Sequence, residues 1–375
     1  MGSEARRELD AALALLRAEA LHADRVDWAR VTAECEALAA GAHTPRDADP
    51  AIRHAIAALD DSHSFLRLPD ADQVRRGLIG IYFTGGVIAL VLPGSPAERA
   101  GLRRGDRILR IDGQAVGPGV NEGLPPSSPV IFDLERSGLP WTLTLHREDA
   151  PAQPAAPYGR LLAPDVGLIT LTDCDLEGML PDGETYTQKV QTLLLRLASS
   201  GAKRWIVDQR VNLGGNMWPM LAGVGPLTGE GELGAFVRGQ ERWPWAFQAG
   251  RACQGDVVCA ETRGEVLPTL PDAAKVAVLT SPLTASSGEI LTLSFVGRSG
   301  TRLFGEPTRG LTTCNSTFTL PSGALLFIAT SLDADRTGRV YSGPIPPDVE
   351  IPTVWTEFQT ERDPVLRGAL DWLRA

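Results

Sequence analysis

The sequence predicts a multidomain α/β chain: a helical domain over 1–72, a β-rich domain over 75–148 and an α/β domain over 158–375. Three observations predict it. Apolar residues recur at helical spacing up to Leu59, short strand-like runs with Gly-rich turns replace them after Gly77, and strands alternate with helices after a Pro- and Ala-rich stretch. With 375 residues, 43% of them hydrophobic and 22% charged, the chain can supply two or three such domains with cores of their own.

The helical part rests on spacing. Leu9, Leu13, Leu16 and Ala20 share one face, and Trp28, Val31 and Leu38 mark a second helix. Ile52, Ala55, Ile56 and Leu59 mark a third, which stops at Asp60-Asp61-Ser62-His63-Ser64. That polar stop is expected to be exposed.

In the β-rich part, Gly77 to Phe83 opens one strand and Val87 to Leu92 forms another. Ser95-Pro96-Ala97-Glu98-Arg99-Ala100-Gly101-Leu102 and Gly105-Asp106-Arg107-Ile108-Leu109-Arg110-Ile111-Asp112-Gly113 follow. A carboxylate-binding loop, an SPAxxAGL helix and a GDxIxxIDG strand in this order resemble a PDZ domain. That resemblance implies capture of an extended peptide on a sheet edge, with Ile79, Gly80 and Ile81 offering backbone N–H groups to its terminal carboxylate.

Asp149 to Pro157 reads as a linker. Beyond it, Val166–Leu171, Trp205–Asp208 and Val276–Leu279 read as strands, a helix carries Tyr186, Val190, Leu193, Leu194 and Leu197, and another starts at Ser286.

Two segments carry chemistry. Thr284-Ala285-Ser286-Ser287-Gly288-Glu289-Ile290 follows a buried strand and opens a helix. Unpaired N–H groups at a helix start can hold the charge that develops when a hydroxyl attacks a carbonyl, or one of the serines is simply an N-cap. Asp208-Gln209-Arg210-Val211-Asn212-Leu213-Gly214-Gly215-Asn216 follows a strand, and its paired glycines allow close backbone approach to a ligand. Alone, it also reads as a tight turn with an internal Arg–Asp bridge. Met217-Trp218-Pro219-Met220 after it either lines a pocket or packs in the core.

Together, DxRxNxGGN, TxSSGE and a preceding PDZ-like module resemble the S41 serine peptidases of the C-terminal-processing and tricorn-core type. The resemblance reaches from the N-terminal helices to Pro346-Pro347-Asp348. It implies a ClpP/crotonase-like α/β catalytic domain, Ser287 as nucleophile, and oxyanion donors in the amides of Gly288 and of the Gly214-Gly215 turn. One branch of the family supplies a lysine base in a segment like GxxTxGK. Here Leu311 stands in that place, and the only lysines are Lys189, Lys203 and Lys275, all before Ser287. Arg309 cannot replace it, because a guanidinium stays protonated. The other branch uses a Ser-His pair, which Ser62-His63 matches. His63 then transfers the proton and Ser62 supports it. All five histidines precede the α/β domain, so this pairing predicts a cleft between the helical and catalytic domains. The family's orienting Glu is replaced by Ser342 in Tyr341-Ser342-Gly343-Pro344.

The expected partner is a peptide or protein substrate, a C-terminal tail or an unfolded segment. Rival readings are a noncatalytic binding protein on the same scaffold and an esterase or acyltransferase. A net charge of −10 argues against nucleic acid, and no apolar run is long enough to span a bilayer. No metal or cofactor is expected. The five cysteines lack a CxxC pair, and Cys253 and Cys259 either close a small disulfide or stay free. Met1-Gly2-Ser3 lacks the apolar core of a leader. The periplasm or secretion is favoured if a leader was removed, and the cytoplasm otherwise. Oligomeric state is not legible.

Overall fold

The computed structural model describes residues 1–68, 79–125, 128–148 and 156–375. The opening of the PDZ-like strand at Gly77-Leu78, the 72/75 domain boundary and most of the Asp149–Pro157 linker lie outside the described residues. Two compact units emerge. One takes residues 1–68, Phe236–Arg242 and Thr313–Asp333, and the other takes the remainder.

The first unit holds the helices Ser3–Glu19, Trp28–Leu38 and Asp49–Ala57, as the spacing predicts. Leu9, Leu13, Leu16, Val31, Ile52 and Ile56 are buried in one core with Leu66, Leu320, Leu326 and Ile328. Leu38 breaks the pattern, since it is exposed and Cys35 takes the inner position. The second half of this core arrives from far along the chain. Strand Leu325–Asp335 pairs antiparallel with Phe65–Arg67 and with Thr313–Thr319, so the helices bury their apolar stripes against one another and against strands from far along the chain.

In the second unit, strands 81–84, 87–91, 107–111, 130–136 and 139–145 form an antiparallel sheet in that order. Ile81, Phe83, Ile88, Ile108, Ile111, Phe132 and Leu134 fill its core. Ile81–Thr84 is an edge strand, and Gly80 sits at φ 86° with Ser95 packed against it. A Cβ there would lie 2.1 Å from the Ser95 Cβ, so the turn requires glycine.

The second unit also holds a six-stranded sheet. Its order is Val349–Glu350, Thr301–Gly305, Val276–Thr280, Arg204–Asp208, Val166–Thr170, Tyr158–Ala163. The first five are parallel and the last pair is antiparallel. The central strands read as unbroken apolar runs because both faces are covered. Helices Tyr186–Ser199, Met217–Thr228, Ser287–Phe295 and Pro364–Arg374 accompany this sheet. The PDZ-like module packs on it through Ala89, Val211, Leu283, Trp355 and Phe358. The guanidiniums of Arg104 and Arg210 lie 4.0 and 4.4 Å from the Phe358 ring. All five cysteines, Cys253 and Cys259 included, are free thiols. Among the described residues no helix is long and apolar enough to cross a membrane.

Candidate active site

Two adjacent parallel strands end in the two motifs. Arg204–Asp208 runs into the glycine turn, and Val276–Thr280 runs into Ser281–Ser287. Parallel neighbours bring their C-terminal ends to the same edge, which is where such sheets build sites.

Hydrogen bonds lace the two loops. The Ala285 N–H donates to the Asn212 carbonyl at 3.0 Å. The Thr284 hydroxyl donates to the Gln209 carbonyl at 2.9 Å, and the Ser281 hydroxyl donates to the Arg210 carbonyl at 2.6 Å. Under them, Arg210 is fully buried between Asp208 and Asp363, at 2.8 Å from each. Burial alone would raise the Asp208 carboxyl, but the adjacent Arg210 charge and hydrogen bonds outweigh it and hold the group below the usual range. The internal Arg–Asp bridge read from the sequence is present; Asp363, 153 residues on, is its unanticipated third member.

Ser287 is the first residue of the nine-residue helix and is 6% exposed. Ser286 before it has φ 52° and ψ −120°, a conformation L-residues avoid at a cost of roughly 1–3 kcal/mol. Glu289 holds it there. Its buried carboxylate accepts from the N–H groups of Ser286 (2.9 Å), Gly310 (2.8 Å) and Leu311 (2.8 Å), and from the Thr308 hydroxyl. Burial pushes the Glu289 carboxyl up, and those donors pull it partly back. The Gly-Glu after the serine pair therefore clamps the Ser286-Ser287 turn to residues 308–311.

The oxyanion candidates are engaged in this conformation. The Gly288 N–H donates to the Ala285 carbonyl at 2.9 Å, and the Gly214 N–H donates to Asn212 Oδ1 at 3.0 Å. Gly215 turns its carbonyl toward the serine, and Ser287 Oγ donates to it at 2.5 Å. The Gly215–Asn216 peptide is held by the Asn216 N–H, which donates to the Cys174 carbonyl at 3.1 Å. Both glycines need their φ of 103° and 108°. Burial, aided by Asp175 and Asp173, pushes the Cys174 thiol up to about 12, so the sulfur beside this turn is no thiolate near neutral pH.

Met217–Met220 begins a helix capped by Asn216, with Met217 and Met220 buried and Met220 Sδ 3.7 Å from Asn212 Nδ2. Met217 and Met220 thus follow the core reading.

His63 lies in the first unit and is 9% exposed. Asp61 fixes its turn by accepting from the N–H groups of His63 (3.0 Å) and Ser64 and from the Ser64 hydroxyl (2.8 Å). Asn315 Nδ2 donates to the His63 carbonyl at 2.9 Å. The ring itself meets Thr313, whose Oγ1 is 2.6 Å from Nδ1. Ser62 is exposed, as is Ser342. Among the described residues no group of three or more His, Cys, Asp or Glu could hold a metal ion.

Residues 165–351 match the model of peptidase family S41, and residues 87–120 match a PDZ domain. The chain belongs to peptidase family S41. It is 29% identical to the nisin-resistance protein of Lactococcus lactis subsp. lactis over 208 residues, 55% of this chain and 63% of that protein. It is 27% identical to the carboxy-terminal processing protease CtpA of Bacillus subtilis (strain 168) over 309 residues, 76% of this chain. The chain spans 63% and 60% of the length of these curated relatives. A lipoprotein from Streptococcus agalactiae shares the fold at TM-score 0.63 and 19% identity, over 100% of this chain and 97% of that one. A photosystem II D1 C-terminal processing protease does so at TM-score 0.60 and 19% identity, over 94% of each. As an S41 chain with a PDZ domain, the protein has the α/β architecture its motifs imply.

Proposed function

We propose that the chain hydrolyses peptide bonds through an acyl-enzyme on Ser287, with His63 as general base. One observation carries the reading: Ser287 opens a buried helix from a strained turn that hydrogen bonds lace to the glycine turn of an S41 domain. The turn fixes a single, nearly buried hydroxyl against the glycine turn. In the first step Ser287 Oγ attacks the scissile carbonyl and its proton passes to His63. The imidazolium then protonates the leaving amine, and water repeats the sequence to release the acyl group. The tetrahedral oxyanion calls on the amides of Gly288, Gly215 and Gly214. For attack, the Ser287 hydroxyl must turn away from the Gly215 carbonyl that now accepts its proton.

The PDZ-like module supports a substrate with an exposed extended end. Phe83 and Thr84 of its Ile81–Thr84 edge strand are engaged by Asn121 and Val120, so a peptide would add at the Ile81 end, with the N–H groups of Ile79, Gly80 and Ile81 holding a terminal carboxylate. The name of the Bacillus relative, a carboxy-terminal processing protease, points to a protein's C-terminal tail.

The test is labelling with a fluorophosphonate followed by peptide mapping. The adduct should sit on Ser287, vanish in Ser287→Ala and slow sharply in His63→Ala. No labelling at Ser287, or labelling indifferent to His63, sinks the reading. Turnover of simple esters without any peptide cleavage would redirect it to an esterase.

A further inference from the structure

A histidine base works only if one ring nitrogen is held while the other moves the proton, and the hydrogen bond at the held nitrogen sets the tautomer. In His63 the contact at Nδ1 is the hydroxyl of Thr313, at 2.6 Å. The carboxylate nearest in sequence that could have filled this place, Asp61, is spent on two backbone N–H groups and the Ser64 hydroxyl. Ser342, in the family's Glu position, is exposed.

Thr313 is well fixed for the task. It starts the strand Thr313–Thr319, pairs with Leu332, and is half-buried. Asn315 on the same strand holds the His63 carbonyl. One strand therefore grips both the backbone and the ring of His63. A β-branched side chain has few χ1 options, so its hydroxyl is set by the strand more firmly than a serine's would be.

We propose that Thr313 is the positioning residue of His63, accepting from Nδ1–H and assigning proton transfer to Nε2. This rests on the reading of His63 as base. The proton leaves Ser287 Oγ for Nε2 as the Oγ–carbon bond forms, and it leaves Nε2 for the departing amine as the carbon–nitrogen bond breaks. The Nδ1 proton stays in place throughout. In the imidazolium both nitrogens carry protons, so Thr313 Oγ1 must accept at that stage. A hydroxyl can do so, but being neutral it stabilises the cation less than a carboxylate does.

Two variants and two readouts test it in the full chain. Thr313→Val keeps the shape and deletes the acceptor; Thr313→Ser restores it. A hydrogen bond to a charged partner corresponds to roughly a 10–100-fold effect. Thr313→Val should slow fluorophosphonate labelling of Ser287 by about that factor, and Thr313→Ser should recover most of the rate, with thermal unfolding little changed. Nitrogen-15 spectra of isotope-enriched protein without the probe should show His63 mainly as the Nδ1–H tautomer, and mixed tautomers in Thr313→Val. An Nε2–H tautomer in the wild type, equal rates in wild type and Thr313→Val, or no rescue by Ser would overturn the proposal. Labelling indifferent to His63→Ala would instead overturn the base assignment, and the spectra would still report on Thr313.

Discussion

Glu289 should be the most sensitive residue around Ser287 that is not itself asked to react. It is fully buried, and its two oxygens accept from three N–H groups and one hydroxyl. Glu289→Ala strands those donors. Each buried orphan costs about 1–3 kcal/mol, so three N–H groups alone would cost about 3–9 kcal/mol. Two effects reduce this. The wild type buries a carboxylate that burial disfavours, and water can enter the vacated space. A net loss of about 2–4 kcal/mol follows. Glu289→Gln is the sharper probe. Its NH2 must face either Gly310 N–H and Thr308, or Ser286 N–H and Leu311 N–H. The first choice is better, since the Thr308 hydroxyl can rotate to accept, leaving one N–H conflict worth about 1–3 kcal/mol. The expected order is wild type, then Gln, then Ala, both in urea unfolding at unchanged m-value and in the labelling rate of Ser287. A Gln variant as stable and as reactive as the wild type would refute the claim that this carboxylate holds the Ser286-Ser287 turn.

Two further outcomes follow from the same loops. Gly215→Ala would force a side chain to φ 108° and put its Cβ 1.8 Å from the Cys174 carbonyl, so Ser287 labelling should be abolished and the melting temperature lowered. Asp363→Ala leaves Arg210 with one of its two counter-ions and uncaps the last helix; chemical denaturation should show a loss of about 3–5 kcal/mol, and less for Asp363→Asn, which keeps a cap acceptor. Asp208 gives the pH sign: its folded value is depressed, so its contribution is whole above the unfolded value of about 3.9 and disappears as pH falls through the lower folded one, which an acid titration by circular dichroism can follow.

What was legible in the sequence were features with a local cause. Helical spacing placed Leu9, Leu13 and Leu16 inside because 3.6-residue periodicity needs no partner to be read. Continuous apolar runs marked Val166–Thr170 and Val276–Thr280 as strands covered on both faces. The Gly-Glu after the serine pair was legible as a motif, and the structure shows what its Glu289 does: the carboxylate reaches back to the Ser286 N–H. Residues supplied by distant pairing were not legible. Thr313 reaches His63 across 250 positions, and Asp363 reaches Arg210 across 153. Nothing in TTCNST or RDPVL announces those contacts.

The glycine turn marks the boundary between the two kinds of information. Residue types in Asn212-Leu213-Gly214-Gly215-Asn216 say that the backbone can come close to a ligand, and both glycines do adopt conformations closed to other residues. They do not say which way each peptide plane faces. That is set by the Cys174 N–H on the Gly214 carbonyl and the Asn216 N–H on the Cys174 carbonyl, bonds made by a segment more than thirty residues earlier. Those two bonds leave the Gly215 carbonyl facing Ser287, where it accepts from the Ser287 hydroxyl. In the proposed reaction the base thus competes with an internal carbonyl for the Ser287 proton, and the polarity of a single peptide decides whether the turn restrains that hydroxyl or releases it.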